Sequence, residues 1–283
     1  MKAKKLGIAL VMVSSFAFLG TSCSNSDVTS ATDEALTVTA TDESQVATIN
    51  DEVVSEADQY VTTTANAGYM AVKSVETVTG PTITVDKPDS VSFPKTITID
   101  FGTGFTGKRG NILKGKLIVV ISDKMWKANS SKTITFDNFY VNDNKISGSK
   151  TVTYKGLTTS NHPYWTISVN DTINRKDGAT VTWISERTRE LVDNNSTPLI
   201  WADDKYSITG TSSGVNAKGK AYSMVIDSNN PLIIYNNYPH FVQGIVTVTS
   251  ETRTATFNYG NGEKDNLATV TINGKTKEIT LKN

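Results

Sequence analysis

Two hydrophobic periods divide the chain. Between residues 43 and 62, Val46, Ile49, Val53, Val54, Ala57, Tyr60 and Val61 recur at three- and four-residue spacing, with acids between them. That is the pattern of one amphipathic helix. Thr41 and Ser44 are candidate caps, and the acids near the start suit the positive end of the helix dipole. The helix is expected to lay its apolar stripe on the rest of the protein and keep its acids in water. Its polar face carries no bases, which argues against a membrane-surface role. From about residue 75 the period changes to two. "TITID", "KLIVVIS", "KTITFDNFYV", "YWTISV", "ATVTWIS", "IVTVTS" and "ATVTI" alternate branched or aromatic residues with polar ones, and Gly, Asn and Asp clusters separate them. The expected fold is all-β: an antiparallel sheet or sandwich body over 75–283, preceded by that one N-terminal helix.

Glycines punctuate the strands. An apolar-x-Gly-x-x-Thr/Ser phrase recurs at Ile146–Thr151, Ile208–Ser213 and Val242–Thr247, placing Gly148, Gly210 and Gly244 where a strand is expected to bulge or bend. A different glycine cluster, "DFGTGFTGKRGN" at 100–111, contains G-x-x-x-x-G-K from Gly102 to Lys108. A nucleotide-binding P-loop needs Ser or Thr after the lysine and a helix beyond it. Here Arg109 follows, and "RGNILKGKLIVVI" runs into a strand. The stretch is read as a hairpin loop with Lys108 exposed in its turn.

The N-terminal region has a different character. Lys2, Lys4 and Lys5 precede an apolar run from Leu6 to Leu19, and Leu19-Gly20-Thr21-Ser22-Cys23 follows. This arrangement resembles the signal peptide and lipobox of bacterial lipoproteins, which implies cleavage before Cys23 and lipidation of its thiol. Cys23 is the only cysteine, which excludes an intrachain disulfide and a Cys-ligated metal. Residues 24–42, mostly Ser, Thr, Ala and Asp, are expected to form a flexible tether, because they offer little apolar surface to bury. The chain thus divides into a signal peptide at 1–22, an acidic tether at 23–42, a helix with its connector at 43–74, and the β-rich domain at 75–283. Nine of the 28 acids lie between Lys5 and Lys73, where there is no Lys or Arg. The other 19 face 25 bases beyond that segment, so an acidic segment precedes a mildly basic body. The scattered bases do not form a nucleic-acid footprint.

Catalytic patterns fail on their context. Gly210-Thr211-Ser212-Ser213-Gly214 matches the G-x-S-x-G of a nucleophile elbow, and Ser147-Gly148-Ser149-Lys150 matches S-x-x-K. The first needs a helix after the strand and the second needs a helical turn, and both lie in strand text. His162 and His240 stand far apart beside prolines and aromatics, so no metal site and no cofactor are expected. Glu186 and Glu190 are candidates for a hydrolytic carboxylate pair. Alternation with Arg187 and Arg189 favours cross-strand ion pairs instead.

Of four tryptophans, Trp126 and Trp201 lie nearest turns and are the candidates for surface ligand contacts. Trp165 and Trp183 read as core. The lipobox, the acidic helix and the phrases "ITIDFGTG", "FYVNDNKISGSKTVTY", "RTREL" and "TATFNYGNG" resemble uncharacterised Bacteroidetes-type surface lipoproteins. The resemblance implies outer-membrane or cell-surface anchoring and brings no catalytic residue with it. Asp89-Ser90-Val91 and Asp171-Thr172-Ile173 resemble the O-glycosylation sequon of such exported proteins, which makes Ser90 and Thr172 candidate modification sites. The expected function is that of a lipid-anchored, non-enzymatic surface protein, structural, adhesive or glycan-binding, held to the membrane by its N-terminal lipid. The alternative is an extracellular glycan hydrolase.

Overall fold

A computed structural model describes residues 25–66, 80–87, 89, 91–193, 203–251 and 253–281, with the helix side chains described at 38, 39 and 41–61. Cys23, Ser90 and Trp201 lie outside the described residues. One helix, α1 (Asn25–Asn66), precedes fifteen strands. The first group is β1 (Thr82–Val85), β2 (Lys95–Asp100), β3 (Phe105–Thr106), β4 (Ile112–Ile121) and β5 (Ser131–Val141). The longest follow: β6 (Asn144–Leu157), β7 (Pro163–Asn174), β8 (Thr180–Asp193) and β9 (Lys205–Val215). The last are β10 (Ala221–Ile226), β11 (Leu232–Tyr235), β12 (Gln243–Ser250), β13 (Arg253–Asn261), β14 (Leu267–Ile272) and β15 (Lys275–Thr280).

The strands form one antiparallel sheet in nearly sequential order, β1-β2-β4-β5-β6-β7-β8-β9-β10-β12-β13-β14-β15. β3 pairs with β4, and β11 bridges β9 and β12. The alternation read from the sequence is the alternation of burial. Ile97 and Ile99, Leu117 and Val119, Val246 and Val248 point inward, and Thr98, Ile118 and Thr247 between them are less buried. The all-β body with a single helix is therefore as expected, but the sheet is one continuous shell that curls round the helix.

That enclosure overturns two expectations about the N-terminal region. The helix begins at Asn25, so residues 25–42 belong to it and do not form a tether, and it ends at Asn66 rather than 62. It is also not half wet. From Asp42 to Ala57 every residue but Gln45 is buried, including Asp42, Glu43, Asp51, Glu52 and Glu56. The apolar stripe (Val46, Ile49, Val53, Val54, Ala57 and Val61) is buried as predicted. Some of the polar residues on the remaining faces meet the shell through hydrogen bonds. Asn216 Nδ2 donates to Thr39 Oγ1 at 2.7 Å, and the Ala217 amide donates to Asp42 Oδ2 at 3.1 Å. A segment too polar to pack by hydrophobic burial is ordered here by complementary polar groups of the sheet.

The shell bends at its glycines. Gly148, Gly210 and Gly244 have φ of +115°, +130° and +119°, and the β12–β13 register shifts between Gln243 and Ile245. At Gly210 the neighbouring strand comes so close that a Cβ would stand 2.2 Å from the Glu186 carbonyl oxygen. Gly210 pairs with Arg187, whose side chain is buried inside the shell. The glycine gives β8 room to turn that side chain inward. Gly219 has φ +74° in the β9–β10 turn but faces open space. Gly210→Ala is expected to cost about 3 kcal/mol, through positive φ and backbone collision together, whereas Gly219→Ala costs about 1 kcal/mol through φ alone. Equilibrium urea unfolding of the two variants checks the difference, and equal costs would contradict the close-approach role.

Candidate functional site

The "DFGTGFTGKRGN" stretch is a hairpin. The Phe101 amide donates to Gly115 O at 2.8 Å, Gly115 N donates to Gly102 O at 3.0 Å, and Gly110 N closes the tip on Gly107 O at 3.0 Å. Rejection of the P-loop was correct, but an exposed Lys108 was not. The tip folds inward onto α1. Lys108 is half-buried, and its backbone amide donates to Glu56 Oε1 at 2.7 Å. Arg109 is buried 3.6 Å from Glu52 Oε2, and its Nε donates to Asn236 O at 3.2 Å. A Cβ on Gly107 would lie 2.8 Å from Glu56 Oε1 and 3.0 Å from Glu52 Oε1. The loop does cradle acids, and those acids are the helix's own carboxyl groups.

Similar receptors line the shell. At Glu43, Trp183 Nε1 donates to Oε2 at 2.8 Å, Ser212 Oγ donates to Oε1 at 2.7 Å, and Arg187 Nη2 lies 3.3 Å from Oε1. The arginine also lies over the Trp183 ring, 4.8 Å from its centroid. Arg175 Nη1 meets Asp42 Oδ1 at 2.6 Å. Lys132 pairs with Asp58. Lys150, fully buried, donates to Asn50 and lies 3.0 Å from Asp171. Arg189 reaches Asn236 Oδ1 at 3.2 Å, and Ser55 Oγ donates to the same atom at 3.1 Å.

Burial governs the titration of these groups. It raises the Glu43 carboxyl above its ordinary range, opposed by Arg187 and the hydrogen bonds of Ser212, Tyr222 and Trp183. It pushes Glu52 up to about 7, with Arg109 opposing and the neighbouring Glu56 charge reinforcing. Glu56 is raised by burial against the Lys108 amide, and Lys150 is lowered by burial against Asp171. Glu52 and Glu56 are neighbouring carboxyl groups whose affinity for protons is raised in both, whereas a glycan hydrolase needs one protonated and one ionised. Both are buried under the hairpin tip.

The other candidates separate. Arg187 and Arg189 point inward to the helix, so the ion pairs expected of them with Glu186 and Glu190 do not form. Ser168 Oγ donates to Glu186 on the outer face, and Glu190 meets His162 Nδ1 at 2.7 Å. His240 is buried edge-on to Tyr238, and no metal-holding group exists among the described residues. Ser212 and Ser147 lie in the middle of strands, as anticipated. Trp183 is core, and Trp165 is half-buried. Thr172 is half-buried at the outer face near the end of β7, and the Asp171 before it is locked inside with Lys150.

Trp126 is 53% exposed. Its ring stands edge-on to Tyr154 (5.4 Å) and Trp165 (6.1 Å), and Trp165 continues edge-on to Tyr206 (6.3 Å). Arg189 caps that row, 3.6 Å from the Tyr206 centroid. The loop that carries Trp126 is fixed from several sides. Asn129 N donates to Tyr154 O at 2.7 Å, Ser130 Oγ donates to Met125 O at 2.9 Å, and Lys127 pairs with Asp123. Near the loop, Ser130, Ser131, Lys132, Tyr154 and Trp165 line a recess of about 20 Å³, room for a single water. A ligand here would lie across Trp126 and not sink into a pocket.

Comparison with family models, curated proteins and solved structures gives no match. The geometry alone carries the reading of this surface.

If burial of Glu52 sets its proton affinity, the folded state binds a proton that the unfolded chain releases between the ordinary carboxyl value of 4.5 and about 7. The folded pKa is the higher one, so its stabilisation is complete below 4.5 and is lost as pH rises through about 7. Glu52→Gln removes that proton site. The fall in melting temperature from pH 5 to pH 8 should be smaller in the variant than in the parent. An identical or steeper fall would contradict the assignment.

Proposed function

We propose that this protein is an exported, lipid-anchored surface protein whose shell is a rigid, non-catalytic scaffold presenting a glycan-binding aromatic face. The observation that carries the binding role is Trp126: a half-exposed indole on a loop held by backbone hydrogen bonds, braced by Tyr154 and Trp165. A large apolar ring costs solvation free energy where it stands in water, and a braced ring loses little conformational freedom when a ligand covers it. The C–H faces of a sugar ring suit an open indole face. The scaffold role rests on the interior. The space a β-shell offers to a ligand is filled by α1, whose carboxylates take up the inward cations. Anchoring rests on Gly20-Thr21-Ser22-Cys23 and the charged and apolar regions before it. Thr172, at the outer face, fits this reading as a glycosylation site, and Ser90 is a candidate by its sequence alone.

Two variants test the two parts separately. Trp126→Ala should lower affinity for host or bacterial glycans at least tenfold in a calorimetric screen, with an unchanged melting temperature. A parent that binds no glycan, or a variant that binds as the parent does, would refute the binding role. Cys23→Ala should abolish incorporation of a palmitate analogue, and equal labelling would refute the anchor.

A further inference from the structure

Three side chains meet where α1 passes β6 and β7: Asn50 of the helix, Lys150 of β6 and Asp171 of β7. All three are buried, Lys150 completely. Lys150 pairs with Val169 and Gly148 pairs with Asp171, so the lysine and the aspartate are diagonal neighbours on the inner face of the two strands. A Cβ on Gly148 would stand 2.1 Å from the Asn170 carbonyl oxygen, so it is glycine that lets β7 approach β6 here. Lys150 Nζ donates to Asn50 Oδ1 and lies 3.0 Å from Asp171 Oδ2. Asn50 is held in turn, its Nδ2 donating to Val46 O at 2.9 Å. The Phe136 ring covers the amine, with Nζ 5.6 Å from its centroid.

The site favours the states that amide formation needs. An amine attacks as the neutral base, and burial lowers the proton affinity of Lys150, with Asp171 and Asp51 opposing and Arg187 reinforcing. Burial raises the proton affinity of Asp171 against the pull of Lys150, which favours the protonated acid. Asp171 Oδ1 has no hydrogen-bond partner among the described residues. The electrophile is the carboxamide carbon of Asn50, one bond beyond the oxygen that Nζ already touches. A carboxamide resists amines in water, but fixed contact between reacting groups acts as an effective concentration of about 10⁵ M or more.

We propose that Lys150 and Asn50 are joined by an amide bond between their side chains, formed by the folded protein itself with Asp171 as the proton carrier. The Nζ lone pair attacks Asn50 Cγ and a C–N bond forms. The Cγ–Nδ2 bond breaks, and Nδ2 leaves as ammonia after taking the Asp171 proton. One of the two Nζ protons passes to Asp171, which ends as it began, and the other remains on the new amide. No oxidant, metal or co-reactant enters the balance. The bond ties α1 to the shell covalently, at positions 100 residues apart in sequence.

The test is a protease digest of the full-length protein, denatured first and read by mass spectrometry. It should yield one branched peptide containing both Asn50 and Lys150, lighter than the two linear peptides together by one ammonia. Asp171→Asn keeps both bonding partners but cannot carry the proton, and Lys150→Arg removes the nucleophile. Both variants should give linear peptides only, with the circular dichroism of the parent, and should run more slowly than the parent on a denaturing gel because their chains carry no closed loop. Linear Asn50 and Lys150 peptides from the parent would overturn the proposal and leave an ordinary buried ion pair, and that arm requires no variant to fold. A branched peptide from Asp171→Asn as abundant as the parent's would overturn the role given to Asp171.

Discussion

Everything in this fold depends on the pairing of an acidic helix with the cations on the inside of the sheet. Arg109, Lys132, Lys150, Arg187 and Arg189 are buried there, as are Glu43, Glu52 and Glu56 of α1. Neither set is tolerable alone. An unpaired charge in a low-dielectric interior costs several kcal/mol, and removing one partner of a buried pair typically costs about 3–5 kcal/mol. The shell without α1 would leave Arg109, Lys132 and Arg187 without their carboxylate partners. The helix without the shell would be a polar segment with one narrow apolar stripe. Folding of the two parts is therefore coupled through electrostatics as much as through the hydrophobic core.

The sheet reaches the helix by bending at glycine and by folding in its hairpin. Gly210 and Gly148 let neighbouring strands approach where Arg187 and Asp171 turn inward. The β3–β4 tip brings Lys108 and Arg109 onto Glu56 and Glu52. The interior is occupied by the protein's own helix. Trp126 stands on the outside, its loop held by backbone hydrogen bonds.

Much of this was legible in the sequence. Period-two alternation identified the sheet, the 3.6-residue stripe located the helix, and the recurring glycine phrase marked the bends. The charged interior was missed because acids and bases were read as solvated by default. A signal existed: in "TVTWISERTREL", Arg187 and Arg189 share the parity of Val181 and Trp183, which face inward. Residue parity in one strand does not name a partner 144 residues away, as Glu43 is from Arg187. The tether was misjudged for the same reason. Its low apolar content excluded hydrophobic packing, and nothing local revealed that Asn216, Ala217 and Arg175 would hold Thr39 and Asp42.

The most direct test of this coupling is a double-mutant cycle at Glu43→Gln and Arg187→Met, read by equilibrium unfolding in urea at neutral pH. Each single substitution should destabilise strongly, because each leaves the other group buried without its counter-charge. The double substitution should cost less than the sum, with a coupling of about 1–3 kcal/mol. Additive costs, with no coupling between the two positions, would contradict the claim that helix and shell are held together by their buried charges.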